Sequence, residues 1–455
     1  MKFGLVSAVL VMTGAVAACG GSASSDGNGG HSGTTPPPAD SGSTTPPPPA
    51  ADAGTAPDAS PPVDHGAPSS TYPAFKPDLA NLANNGGVVL TSAVIVPVTW
   101  PNDPGADYFE QFADGIGTSD YWKKTTAEYG VGPGKSGASN HLRLTTPAPA
   151  VMSDQDLDNF VIQNAGDPAT SHWPAPTDQT VYLLMLPQSM SLTLGGQDAC
   201  GQGIGGYHTN TTVNGKQVAY AIVPRCAFGG ATTAQQLLDE ATQSASHELV
   251  EAATDPHPQT DAAWVGYDDN HLSFDFFQQF QSENADSCEF FKSSFYKNTE
   301  TNFAFNVQRS WSNQSAQAGH DPCVPLLATP YFNVAPIGAE DLTVDLSTVG
   351  GAAGSKTKGY TVKVGETRTF AVGLYSDAPT SGPWALTVAE SNPIFGAPKT
   401  SRLAVSIDKQ TGQNGEKAYV TVTVKVAGKT KAELLTITSS SGQSKHYMPI
   451  LIGTP

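Results

Sequence analysis

Residues 20 to about 70 consist almost wholly of Gly, Ser, Thr, Ala, Pro and Asp, with proline runs at TTPPPAD and TTPPPPAAD. Such text cannot bury enough apolar surface to offset the entropy lost on ordering it, so a disordered tether is expected. Its reach would be roughly 40 Å as a coil and on the order of 150 Å as continuous polyproline II. The folded content of the 455-residue chain therefore lies beyond residue 70, in a stretch long enough for two domains.

Ahead of the tether, Lys2, a short apolar core over residues 3–17 and small residues leading into Cys19 read as an export signal, too short to span a bilayer. The run AVAAC resembles a bacterial lipoprotein signal. That resemblance implies that residues 1–18 are removed, that Cys19 carries a lipid anchor and that Gly20 directs the protein to the outer membrane, with plain secretion as the alternative. Setting Cys19 aside leaves four of the five cysteines, Cys200, Cys226, Cys288 and Cys323, enough for two disulfides in an oxidising compartment. Pairing Cys200 with Cys226 and Cys288 with Cys323 closes the shortest loops, although three connectivities are possible. There is no CxxC spacing, so a thiolate metal site is not expected. A formal charge of -18 with no basic run excludes nucleic acid and an anionic membrane surface as partners.

Residues 72–328 mix both periodicities. The runs VVLTSAVIVPVTW, TVYLLMLP and QVAYAIVP predict buried strands, and ADYFEQFADGI and DLDNFVIQNA have helical spacing, which together indicate an α+β domain. Residues 329–455 lack cysteine and offer seven short candidate strands: YTVKV, TFAVGLY, WALTVAE, LAVSI, YVTVTVKVA, LLTITS and YMPILI. In the fifth, Val420, Val422, Val424 and Val426 alternate with Thr421, Thr423 and Lys425, and Asn414-Gly415 supplies a turn before it. Seven such strands predict an all-β immunoglobulin-like sandwich, a fold that carries no function by itself.

One helix carries the chemistry. Between Thr232 and Thr254, residues Ala234, Leu238, Ala241, Ala245, Leu249 and Ala252 form an apolar stripe, and Pro256 should end the helix just after Asp255. His247 and Glu251 lie away from the stripe, one turn apart, where an imidazole and a carboxylate can reach one ion. Glu248 points to the neighbouring side, where a base for a metal-held water would stand. A third ligand must come from elsewhere. SENADSCEF offers Glu283 and Asp286, which are favoured; GGYHTN offers His208, and His257 and His271 lie in loop text. The competing reading is a polar helix face that is simply solvated.

The segment SHELVEAATDP resembles the HExxH helix of zincin peptidases, with Glu251 where the second histidine stands. The resemblance implies a zincin-like fold for the first domain, zinc held by His247 and Glu251, and Glu248 as general base. The carboxylate lowers the charge of the site and shifts its preference toward harder ions. Separately, GGVVLTSAVIVPVTWPND, FEQFADGIGTSDYWKKTTAEYGVG, CGQGIGGYH, YAIVPRC, ADSCEF and QRSWSNQS resemble, over roughly residues 80–325, the bacterial relatives of the phosphate-induced or EXORDIUM-type secreted proteins. That likeness implies action outside the cell. The expectation is a surface-tethered, zinc-dependent, peptidase-like hydrolase acting on an extracellular polypeptide, with QVAYAIVP as the strand that pairs with substrate. The alternative is a non-catalytic module that binds a wall polymer or a partner protein through Tyr121, Trp122 and Trp264. No GxSxG elbow supports a serine hydrolase, and GGQDACGQGIGG reads as a disulfide-anchored loop and not a phosphate loop.

Overall fold

The computed structural model describes residues 63–280, 282–349, 351–391 and 398–455; the export signal, Cys19 and the tether up to residue 62 lie outside them. The first part of the chain is built around a five-stranded sheet in the order Leu142–Arg143, Val94–Thr99, Thr180–Met185, Lys216–Val223, Tyr207–Val213. The first four run parallel, and the last returns antiparallel as an edge strand. Parallel strands buried on both faces need apolar side chains at consecutive positions, which is why TVYLLM is buried throughout. Ile95, Leu183 and Ala221 face the helices Ala106–Ile116 and Ala234–Thr254. Val96, Tyr182 and Ile222 face the helix Asp154–Gly166. The domain is therefore a mixed α/β layer structure.

The strand QVAYAIVP was expected to be open to substrate, and its position corrects that expectation. It is interior, hydrogen-bonded on one side to Thr180–Met185 and on the other to Tyr207–Val213. The edge on this side of the sheet, within GGYHTNTTV, has no apolar alternation to mark it. Its turn is legible all the same: Asn214 and Gly215 both have positive φ, 48° and 79°, as a two-residue hairpin turn between twisted strands requires.

The C-terminal part is a sandwich of a four-stranded and a six-stranded sheet. Six of the seven expected strands are present, and of YTVKV only Tyr360 and Thr361 are strand, at the end of the earlier-starting Ala353–Thr361; Phe332–Pro336, Glu340–Asp345 and the short Thr411–Gly412 complete the sheets. In the strand Lys417–Val424, Val420, Val422 and Val424 are fully buried, each contributing about 2 kcal/mol of apolar burial. Val426 lies beyond the strand and is 53% exposed, so the alternation stops one residue short of it. On the opposite face the hydroxyls of Thr421 and Thr423 meet those of Thr369 and Thr367 across the sheet.

The two parts share a core: Leu79, Tyr267, Phe274 and Trp311 pack in one cluster with Phe332, Val334, Tyr375 and Ile450. Residues 63–71, compositionally part of the tether, lie against the sandwich. Lys417 N–H donates to His65 O, and the Asn414 amide donates to Ser69 O and Thr71 O. Among the described residues no helix is long and apolar enough to cross a membrane.

Candidate metal centre

The helix bearing His247, Glu248 and Glu251 spans Ala234–Thr254 and starts at a capping box in which Thr233 and Gln236 bond each other's backbone. Its first turn is exposed, Ala234 included, whereas every residue from Ala245 to His257 is buried. The reading of a solvated polar face therefore fails. His247 is 9% exposed, Glu248 4% and Glu251 2%, because three other segments close over that side of the helix.

The edge strand delivers His208. Its Nδ1 lies 3.5 Å from Glu251 Oε2 and 3.7 Å from Glu248 Oε2. Gly206 makes this approach possible: a Cβ there would stand 2.6 Å from Glu248 Oε1 and 2.9 Å from Ile222 O. The segment around the short helix Asp286–Glu289 delivers the expected acids. Asp286 Oδ1 is 3.4 Å from His247 Nε2, Glu283 Oε1 is 3.4 Å from His208 Nε2, and Asp286 N–H donates to Glu251 Oε1 at 3.0 Å. Within the helix, His247 Nε2 and Glu251 Oε2 are 3.1 Å apart. Donors about 2.1 Å from a shared tetrahedral ion stand about 3.4 Å from one another, close to the separations of Glu251 Oε2 from His208 Nδ1 and from His247 Nε2 and of His247 Nε2 from Asp286 Oδ1.

The far nitrogens of both imidazoles are tied back. His208 Nε2 is 3.2 Å from the Asp255 carbonyl, which can only accept, so that nitrogen carries the proton and Nδ1 faces Glu248 and Glu251. His247 Nδ1 is 3.0 Å from Gln308 Oε1, while Gln308 Nε2 donates to Ala285 O. This arrangement leaves His247 Nε2 toward Glu251 and Asp286, as a metal-ligating imidazole requires. The segment is pinned covalently by Cys288–Cys323, and Cys200–Cys226 flanks the start of the edge strand, so both shortest-loop pairings are found.

The electrostatics favour a cation. Burial would push both imidazoles toward the neutral form, but the surrounding carboxylates, chiefly Glu251 and Glu248 at His247 and Glu283 at His208, reverse it and raise both well above their usual range. Burial raises Glu248, Glu283 and Asp286, brings Glu289 up to about 8 and Asp255 up to about 6. Glu251 is the exception: burial would raise it, yet the two imidazoles hold it well below the usual carboxylate range. Three donor groups, each with ligand atoms within 4.8 Å of one another, overlap here: His208, Glu248 and Glu251; His247, Asp286 and Glu289; Glu251, Glu283 and Asp286. Two buried oxygens at the cluster, Glu283 Oε1 and Asp255 Oδ2, have no hydrogen-bond partner, which fits a site built to ligate.

No family model matches the sequence, and no curated protein matches it. Likenesses to solved structures are partial. The twitchin kinase region from C. elegans (Fn31-NL-kin-CRD-Ig26) is 14% identical over 21% of this chain and 15% of that one, with a TM-score of 0.15. A chimeric titin Z1Z2 functionalised with a KLER exogenous peptide from decorin is 12% identical over 28% of this chain and 50% of that one, with a TM-score of 0.16. Scores so low carry no argument about fold or activity, and the site must be read from its own geometry.

All five residues singled out around the helix, His247, Glu248, Glu251, Glu283 and Asp286, meet in one cluster. Glu289 and Gln308 carried no sequence signal beyond the three-residue spacing of Glu289 from Asp286. His271 lies apart, paired with Asp268 at 2.8 Å. The aromatic contact candidates are not a surface: Tyr121 and Trp122 are buried, and Trp264 is half-buried against Tyr129.

Proposed function

We propose that this is a divalent-metal-dependent hydrolase of the cell envelope, with zinc held by His247 and Glu251 and approached by His208 from the strand and Asp286 from the loop. The observation that carries this reading is that both imidazoles present a nitrogen to the same Glu251 oxygen, at 3.1 and 3.5 Å, while their far nitrogens are hydrogen-bonded to fixed acceptors. A bound zinc would supply Lewis acidity for a water and for a substrate carbonyl.

The chain's own groups supply the rest. Glu248, raised by burial, takes the proton of the attacking water and returns it to the leaving group. Burial of His208 and Glu251 excludes bulk water from the strand side, while the side chains of Glu283 and Asp286 are 18% and 21% exposed, so substrate enters from the loop side. The lipid anchor at Cys19, the zincin-like character of the first domain, the immunoglobulin-like character of the sandwich and the kinship with EXORDIUM-type proteins belong to the same proposal. The polypeptide substrate does too.

Metal analysis of the purified full chain beside His247→Ala tests the centre, and a peptide-library assay of Glu248→Gln tests the base. Equal, near-zero zinc in both proteins would end the metal reading, and unchanged turnover in Glu248→Gln would end the assignment of the base.

A second reading rests on the near-complete burial of His208 and Glu251, since structural metal sites are closed. The protein would then be a display module for a wall polymer or partner, and removing zinc would lower the melting temperature of a chain that hydrolyses nothing.

A further inference from the structure

Two kinds of donor set meet at the centre. His208 and His247 each present a nitrogen to Glu251, and Glu251, Glu283 and Asp286 bring carboxylate oxygens within 4.8 Å of one another, with His247 Nε2 3.4 Å from Asp286 and His208 Nε2 3.4 Å from Glu283 at the margin of that set. Imidazole suits zinc, whereas an all-carboxylate set suits a hard cation such as Ca2+. Resting on the zinc reading above, we propose that the site holds a second divalent cation, Ca2+ in kind, bound by Glu283 and sharing Glu251 and Asp286 with the first.

Independent features point to a ligand at the carboxylate set. Glu283 Oε1 is inaccessible to solvent and makes no hydrogen bond, facing His208 Nε2 at 3.4 Å. Asp255 is fully buried, spends only Oδ1 on the Ala263 N–H and leaves Oδ2 without a partner, while its carbonyl lies against the same imidazole that Glu283 faces. A buried carboxylate oxygen without a partner costs free energy that a cation would recover.

Charge leads to the same conclusion. Six acids gather at this place, Glu248, Glu251, Asp255, Glu283, Asp286 and Glu289, and among the described residues no Lys or Arg forms an ion pair with any of them. Their near partners are the two imidazoles, and a divalent cation would supply counter-charge for the carboxylates that ionise. The segment is also shaped for sharing. Asp286 Oδ2 accepts from Glu283 N–H, Asp286 N–H holds Glu251 Oε1, and Cys288 anchors the segment two residues on. The second ion would thus lock the loop that carries Asp286, a ligand of the first, coupling zinc affinity to calcium.

The test uses the full chain, stripped with chelator, reloaded with one equivalent of zinc and titrated calorimetrically with Ca2+. Uptake of one Ca2+ per chain is expected. Glu283→Gln should keep its zinc and bind Ca2+ at least about ten-fold more weakly. Failure of zinc-loaded wild type to take up Ca2+, or wild-type Ca2+ affinity in Glu283→Gln, overturns the proposal. If Glu283→Gln does not fold, Glu283→Asp, which keeps the charge and shortens its reach, decides the matter: unaltered Ca2+ affinity overturns it equally. A chain that binds Ca2+ through Glu283 but holds no zinc would uphold the carboxylate site and refute the zinc assignment instead.

Discussion

His247 Nδ1 lies 3.0 Å from the amide oxygen of Gln308, a residue 61 positions further along the chain. Gln308 is 2% exposed, and its amide is oriented by Ala285 O and its backbone N–H by the Ser246 hydroxyl. It therefore fixes which nitrogen of His247 can ligate. Gln308→Ala should weaken zinc binding by roughly 10- to 100-fold, and Gln308→Glu, which keeps an acceptor, by less. Competition with a chromogenic chelator measures this, and wild-type affinity in Gln308→Ala would show that the imidazole needs no such support.

The disulfide Cys288–Cys323 spans a sequence separation of 35, with Asp286 two residues before its first cysteine and Gln308 within the loop it closes. Replacing both cysteines by serine should cost about 4 kcal/mol of stability through the entropy of the unfolded chain. It should also weaken zinc binding, because the loop donor is then free to move. A double variant with lower stability but unchanged zinc affinity would show that the loop is held by its hydrogen bonds alone.

Asp275 gives the pH dependence of stability a definite sign. Burial raises its carboxyl to about 7, although the Tyr267 N–H donates to both of its oxygens. The folded state thus keeps a proton that the unfolded chain releases near pH 4, so this group's contribution is complete below pH 4 and is lost as pH rises through 7. The loss is on the order of 4 kcal/mol. Asp275→Asn should match wild type in urea unfolding at pH 4 and exceed it at pH 8; parallel pH profiles for the two proteins would refute the assignment.

Asn414 ties the start of the described chain to the sandwich. Its oxygen accepts from Ala74 N–H and Ser376 N–H, and its amide donates to Ser69 O and Thr71 O. Asn414→Ala leaves several of these groups without a partner and should cost on the order of 2 kcal/mol. Residues 63–74 should then become sensitive to limited proteolysis. Resistance equal to wild type would mean that the apolar contact of Phe75 with Tyr375 holds the segment by itself.

What the sequence alone determined is local. The capping box and apolar spacing specify the helix Ala234–Thr254, the β-branched runs specify Val94–Thr99 and Thr180–Met185, and cysteine spacing anticipated both disulfides. It also placed His247, Glu248 and Glu251 on one helix and offered Glu283 and Asp286 as partners. Tertiary structure decided whether that polar face meets water or other donors. His208, Gln308 and Glu289 come from a strand, a second strand and a short helix, and their convergence depends on how the chain crosses itself, which no periodicity encodes. It also decided which strand forms the sheet edge, because a polar strand such as YHTNTTV carries no alternating pattern and is recognised only by the partner beside it.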